Sequence, residues 1–278
     1  MRLVVTGAGG GLARAFLAQV PPHHEVHPFT HRELDVGDHH GVMQTVVPIA
    51  PDAIVNLAAM TAVDTCEADP EGAFRANALG PQSLSLAART CGATLLHVST
   101  DYVFDGLKGA PYDEVDHPNP INVYGRSKLA GERFVRDLVP EHVIVRTAWL
   151  FGGGSDFASR SLGRLAAGQP VEAVADRTGS PTSVRHLAAR LLPLVLSGRP
   201  GTYHVAGEAM SWFELMTRLK SLGGLPGEVR AVAAADLGQP APRPRRSDLI
   251  SVFLSELDVA PMPPTDVGLK ELLEEVGT

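Results

Sequence analysis

The residues best suited to chemistry in this sequence are Tyr124 and Lys128, in the run Tyr124-Gly125-Arg126-Ser127-Lys128. In a helix, that spacing sets a phenol and a primary amine one turn apart on the same face. A free tyrosine titrates near ~10, and a neighbouring cation favours its phenolate and brings it toward a working range. Such a pair can protonate a carbonyl oxygen while hydride reaches the carbon, and the lysine can also hold a cofactor ribose. On its own the spacing also describes an ordinary solvated surface pair. A second signal stands beside it. Ser99-Thr100-Asp101 ends a β-rich run, and open α/β sheets build their sites at the carboxyl ends of strands. The Thr100 hydroxyl there can orient a carbonyl. Strand-end serines and threonines are also simple caps, so Thr100, Tyr124 and Lys128 are read as a catalytic set from their combination.

A hydride donor needs a binding loop, and the chain starts with one. Gly7-Ala8-Gly9-Gly10-Gly11-Leu12-Ala13 follows a short apolar run and opens a helical pattern. Glycine at 7 and 10 permits a tight turn and close approach of a pyrophosphate. Gly9, Gly11 and Leu12 bring backbone amides and a helix N-terminus to the anion, and Ala13 keeps the helix close to the sheet. A plain tight turn would use the same glycines, but the place of the loop after an N-terminal strand points to a dinucleotide. An acid at the end of the second strand would bind the ribose diol of NAD. Here the strand runs into Thr30-His31-Arg32. Arg32 can pair with a 2′-phosphate, which points to NADPH, or it is a solvated loop residue, which leaves NADH open.

The elements that must carry these residues follow from apolar patterning. Strands are expected at Leu3–Thr6, Val26–Phe29, Ala53–Leu57, Thr94–Ser99, Val143–Thr147 and Val171–Val174. Helices are expected at Leu12–Val20, Glu71–Cys91 with a break at Gly80-Pro81, Asn122–Leu138, Ser183–Ser197 and Thr265–Val276, and Ser211–Glu214 reads as a capping box. Gly152–Gly154 and Pro240–Arg246 read as loops. Strand–helix alternation predicts an α/β fold: a Rossmann-type, doubly wound parallel sheet with a smaller, discontinuous substrate lobe. Residues 1–150, with a further strand near 171–174, would form the dinucleotide domain, and 151–278 mainly the lobe.

Bulk properties exclude other classes. The chain has 278 residues, 44% of them hydrophobic, and a formal net charge of -7, where a nucleic-acid binder would need a basic footprint. Two cysteines without CxxC spacing suit a reducing cytoplasm. The apolar start is too short for a secretory segment, and no stretch approaches a membrane span. His23, His24, His27 and His31 match no metal-ligand spacing and straddle a strand whose successive side chains diverge, so they read as a solvated edge.

The sequence resembles the dTDP-4-dehydrorhamnose reductases, an extended short-chain dehydrogenase/reductase family. The resemblance lies in Gly7–Ala13, Asn56–Asp64, Asn77–Pro81, Ser99–Gly106, Tyr124–Glu132, Arg146–Gly152 and Gly179–Thr182. It implies that Ala58, Ala59, Thr61 and Asn77 line the cofactor and that Asp35 and Val36 flank its adenine. It also implies that Val63, Asp101, Tyr102, Phe104 and Trp149 face a nucleotide sugar, with the C4 ketone of dTDP-4-dehydro-6-deoxy-L-mannose reduced to dTDP-L-rhamnose. Arg243, in a loosely matched Arg-Pro segment, reads equally as a pyrophosphate ligand or a solvated residue. Relatives that dimerise around magnesium carry a glutamate early in the first helix. This chain has Ala15, which implies no metal and a monomer or metal-independent oligomer.

Two other functions fit parts of this pattern. A non-catalytic dinucleotide-binding regulatory subunit would keep the glycine loop but gain nothing from Thr100, Tyr124 and Lys128. A 4-epimerase would hold its nicotinamide permanently. A 4,6-dehydratase would want an acid after Thr100-Asp101, where this chain has Tyr102.

Overall fold

The computed structural model describes residues 1–276. Six strands, β1 (Arg2–Thr6), β2 (Glu25–Phe29), β3 (Ala53–Asn56), β4 (Thr94–Thr100), β5 (His142–Thr147) and β9 (Gly201–His204), pair in the order β2-β1-β3-β4-β5-β9. Every pairing is parallel. This is the doubly wound α/β sheet expected. The chain leaves β1 for β2 on one side and returns to β3 on the other, which creates a crevice at the carboxyl ends of β1 and β3. Pro28 is tolerated in β2 because that strand lies at the edge and pairs only with β1.

Strand residues alternate between two covered faces. Leu3, Val5, Val55, Leu96 and Val145 pack against α1 (Gly11–Leu17) and α8 (Val184–Leu196), through Phe16, Leu187 and Leu191. Val4, Ile54, Leu95 and Ile144 pack against α2 (His39–Val46), α5 (Gly80–Cys91) and α6 (Val123–Leu138), through Val42, Leu84 and Val135. Asn122 caps α6, its side chain accepting from the Gly125 N–H at 2.7 Å.

The expected break at Gly80-Pro81 does not occur. After α3 (Val63–Ala68) and α4 (Pro70–Phe74), a π-helical turn at Arg75–Leu79 runs straight into α5, with Pro81 in its first turn. The π turn widens the helix just ahead of Pro81, the residue that lacks an N–H to continue the ladder. Gly131 of α6 seats against this wide turn, where a Cβ would lie 2.2 Å from the Asn77 carbonyl oxygen.

The remaining elements form a smaller lobe. α7 (Phe157–Ala166), α9 (Trp212–Gly223) and α10 (Thr265–Val276) surround a sheet made of β7 (Val171–Val174) and β10 (Val229–Val232). Leu162, Leu165, Met216, Leu219 and Leu269 fill its core. A two-residue ladder joins β6 (Leu150–Phe151) to β8 (Thr182–Ser183). One expectation is corrected here. Val171–Val174 is a strand, but it belongs to the small sheet, because its partner is Val229–Val232. The sixth strand of the large sheet is Gly201–His204, reached through α8. The Ser211–Glu214 capping box is present at the start of α9.

Candidate active site

A cavity of about 500 Å³ opens at the crevice. Its walls come from the glycine loop, the segments after β3, β4 and β5, the first turns of α6, and the Gly153–Asp156 loop. Of the anticipated residues, Gly10, Gly11, Leu12, Ala59, Thr61, Val63, Thr100, Asp101, Tyr102, Tyr124, Lys128 and Trp149 line it.

The glycine loop is shaped by close contacts. Gly7 has φ of 72°, and a Cβ there would meet the Leu57 and Ala58 backbone at 2.7 Å. Gly7 therefore seats the loop on the end of β3. Gly11 packs against Gly153, where a Cβ would lie 2.6 Å from its Cα. Arg14 binds both sides, donating to the Gly9 carbonyl at 2.6 Å and the Gly153 carbonyl at 2.9 Å. Gly9 is different: its nearest neighbour would be Thr30 Cγ2 at 4.0 Å, so the protein itself leaves its face open. No side chain caps α1.

Thr100 and Tyr124 meet across the cavity. Thr100 Oγ1 donates to Asp101 Oδ1 at 3.0 Å and accepts the Tyr102 N–H at 3.2 Å. Ser247 Oγ donates to the other Asp101 oxygen at 2.5 Å. Burial of Asp101 pushes its pKa up to about 7. Tyr124 contacts Tyr102 edge to face with ring centroids 5.9 Å apart. Burial raises the Tyr124 phenol above its ordinary range, against a hydrogen bond with Thr100. Lys128, 2% exposed, donates to the Val98 carbonyl at 2.6 Å, and burial lowers its amine to about 8. In this state burial dominates the Tyr124 phenol and raises it.

Trp149 follows β5 with φ of 45°, a left-handed conformation costly for a bulky residue. Its ring stacks on Trp212 of α9 with centroids 4.6 Å apart and planes 5° from parallel. Gly179 makes room for it, since a Cβ there would lie 2.4 Å from the indole.

Several anticipated residues stand elsewhere. Phe104 does not face the cavity: it is fully buried, stacked on Tyr112 at 4.2 Å, with the Arg146 guanidinium over its ring. Asn77 is also fully buried. Its amide is spent on both backbone groups of Met60 and on Ser127 Oγ, so it shapes the 58–61 loop from behind. Ala58 lies in that loop behind the wall, its N–H donating to Asn56 Oδ1 at 3.2 Å. Val36 is core and packs on Gly80, and Asp35 is held by Arg75 at 2.6 Å. Arg32 is exposed, while neighbouring Glu33 accepts from the Thr30 N–H and hydroxyl. Arg243 is neither solvated nor on the cavity wall. Its side chain is 12% exposed and makes a two-pronged contact with Asp64 at 2.7 and 3.0 Å.

Residues the sequence reading missed include Thr147 and Asp156 on the wall, and Ser247 behind Asp101. The position of Thr147 at the carboxyl end of β5 was the available signal. Thr147 Oγ1 and Trp149 Nε1 are buried with no hydrogen-bond partner in the protein, so the wall presents unmet polar capacity. Together with the open face of Gly9 and the uncapped α1, the residues fit a bound dinucleotide.

The parallel sheet, glycine loop and lysine-bearing helix define a Rossmann-type fold of the dehydrogenase/reductase class. The chain matches the family described as RmlD substrate binding domain over residues 1–278, and it belongs to that family. It is 41% identical over 261 residues to a dTDP-4-dehydrorhamnose reductase of Mycobacterium tuberculosis, covering 90% of this chain and 85% of that one. It is 39% identical over 251 residues to a dTDP-4-keto-6-deoxy-D-glucose reductase of Streptomyces niveus, covering 88% and 86%. The crystal structure of dTDP-4-dehydrorhamnose reductase from Bacillus anthracis in complex with NADP aligns with a TM-score of 0.95 at 35% identity, covering 99% of each chain.

Proposed function

We propose that this protein is an NADPH-dependent oxidoreductase that reduces the C4 ketone of dTDP-4-dehydro-6-deoxy-L-mannose to dTDP-L-rhamnose. The carrying observation is that Thr100, Tyr124 and Lys128 all line one cavity that also holds the glycine loop, in a chain whose relatives are 4-ketosugar reductases. When bound, NADPH would supply the hydride for the ketone carbon. Tyr124 donates its phenolic proton to the oxygen as charge develops there, and its raised pKa keeps that proton in place until the substrate calls for it. Thr100 holds the oxygen in line. Its hydroxyl is free to donate when Asp101 carries a proton, and Asp101 is poised to do so near neutrality. Lys128, on the same wall, would hold the ribose edge. Val63, Tyr102 and Trp149 grip the sugar nucleotide, whose remote binding energy aligns the reacting atoms.

The protein works in the cytoplasm, as a monomer or an oligomer that needs no metal. Among the described residues no helix is long and apolar enough to cross a membrane. Ala15 supports the metal-free assembly. Sedimentation with and without a chelator checks it, with unchanged size expected and dissociation on chelation overturning it.

The function is tested by mixing enzyme, NADPH and dTDP-linked 4-ketosugars, following reduced-cofactor absorbance and assigning the product by NMR. An L-rhamno product is expected. A D-sugar product would transfer the assignment to the activity of the Streptomyces relative, and no oxidation of NADPH with any ketosugar would overturn the reading.

A further inference from the structure

Trp149 stands where the chain leaves the large sheet, in a backbone conformation that its own segment does not explain. Its φ of 45° is left-handed, and a bulky residue stays there only when its surroundings over-determine it. Those surroundings come largely from later in the chain. The Trp149 carbonyl accepts the Thr182 N–H at 3.3 Å. Gly179 leaves space for the indole, since a Cβ there would lie 2.4 Å from Cε2. Trp212, the first residue of α9, lays its indole on that of Trp149 with planes 5° apart. Phe157 of α7 in turn meets Trp212 edge to face, with centroids 5.0 Å apart. The glycine and the stacking ring belong to one support. Gly179 and Met210 exchange both backbone hydrogen bonds, at 3.1 and 2.9 Å, and the Ser211–Glu214 capping box fixes where α9 begins. Met210 is anchored in the core of the small lobe. Trp149 lines the cavity, and Trp212 is not part of the wall.

We propose that Trp212 is a positioning residue: stacked on Trp149 from the small lobe, it holds that ring in its left-handed seat on the cavity wall and so sets how tightly the pocket grips the sugar nucleotide. A flat face against a flat face fixes the tilt of the indole, and Gly179 fixes how far it can slide. Without Trp212 one face of the Trp149 ring loses its contacts, and the strained backbone is free to relax toward negative φ. The ring then leaves its place on the wall. Dinucleotide binding does not depend on this stack. The glycine loop and Lys128 are held by contacts of their own, to Leu57, Gly153 and Val98. The substrate named here rests on the reductase reading above, whereas the hold of Trp212 on Trp149 does not.

The 15N-labelled protein gives two indole N–H resonances, which Trp212→Phe assigns. In Trp212→Ala the Trp149 resonance should broaden as the ring samples more than one position. Trp212→Phe keeps a stacking ring and should give a sharp line. With a dTDP-linked 4-ketosugar, Trp212→Ala should raise KM by about 3- to 10-fold, the worth of an aromatic pair. Its kcat should change little, and its Kd for NADPH should equal that of wild type. Trp212→Phe should recover most of the KM. In a Trp149→Ala background, Trp212→Ala should add almost nothing, because the ring it positions is gone. A merely structural Trp212 would reduce the active fraction, lowering kcat without moving KM, and would do so equally in both backgrounds. An unmoved KM, a Trp149 line as sharp in Trp212→Ala as in wild type, or a KM effect undiminished in the Trp149→Ala background would overturn the proposal. If Trp212→Ala fails to fold, Trp212→Leu, which keeps bulk without a flat face, takes its place. If the wild type reduces no ketosugar, the reductase reading falls and the indole line widths still decide whether Trp212 positions Trp149.

Discussion

Glu132 and Arg146 form a two-pronged ion pair with both side chains out of solvent, at 2.7 Å between Arg146 Nη2 and Glu132 Oε2 and 2.9 Å between Nε and Oε1. The pair ties α6, which carries Tyr124 and Lys128, to β5. Ser99 of β4 donates to the same carboxylate at 2.5 Å. Burial works against the charged form, yet Arg146 and Ser99 hold the Glu132 carboxyl below its usual range. Glu132→Ala would leave the guanidinium buried without its anion, and removing one partner of such a pair costs about 3–5 kcal/mol. Urea denaturation should show that loss, and replacing both residues with apolar ones should recover much of it. Equal stability of Glu132→Ala and wild type would show the pair to be idle.

Tyr124→Phe should bind NADPH with near-normal affinity while turnover falls by about 10²–10⁴, because the hydroxyl alone is removed. Equilibrium binding and steady-state rates on one preparation separate the two. Turnover close to wild type would show that the proton comes from another group.

Asp101→Asn should alter the pH dependence of stability. Burial raises the folded carboxyl to about 7, against an unfolded value near ~3.9. The contribution of the proton is therefore complete below the unfolded value and is lost as pH rises through that of the fold. An asparagine imitates the protonated acid. The variant should match wild type near pH 4 and melt higher at pH 8. Parallel melting curves across that range would refute the assignment.

Arg32→Ala should raise KM for NADPH more than KM for NADH, since only the former has a 2′-phosphate. Arg32 is exposed at the end of β2. Equal effects on both cofactors would remove it from the site.

Much of this arrangement was legible in sequence because it is local. β1, β3, β4 and β5 are continuous apolar runs, buried on two faces. The glycine loop and the Tyr124–Lys128 spacing are contiguous motifs whose geometry follows from one turn and one helix. What escaped depends on distant partners. Gly201–His204 has no apolar run and becomes a strand by pairing with β5. Val171–Val174 reads as a strand, but which sheet it joins is decided by Val229–Val232. Phe104 and Asn77 sit in motifs that suggest ligand contact, yet Tyr112 and Met60 occupy them.

The stacked indoles of Trp149 and Trp212 are the only two tryptophans in the chain. One lines the cavity and the other begins a helix of the small lobe. All tryptophan emission from this protein therefore originates at a single seam, with no background from elsewhere. Rings stacked 4.6 Å apart with nearly parallel planes couple electronically, so near-ultraviolet circular dichroism will carry their joint signature. The molecule has in effect a built-in optical gauge: a ligand settling against Trp149, or the lobe turning by a few degrees, registers in the spectrum without any added label.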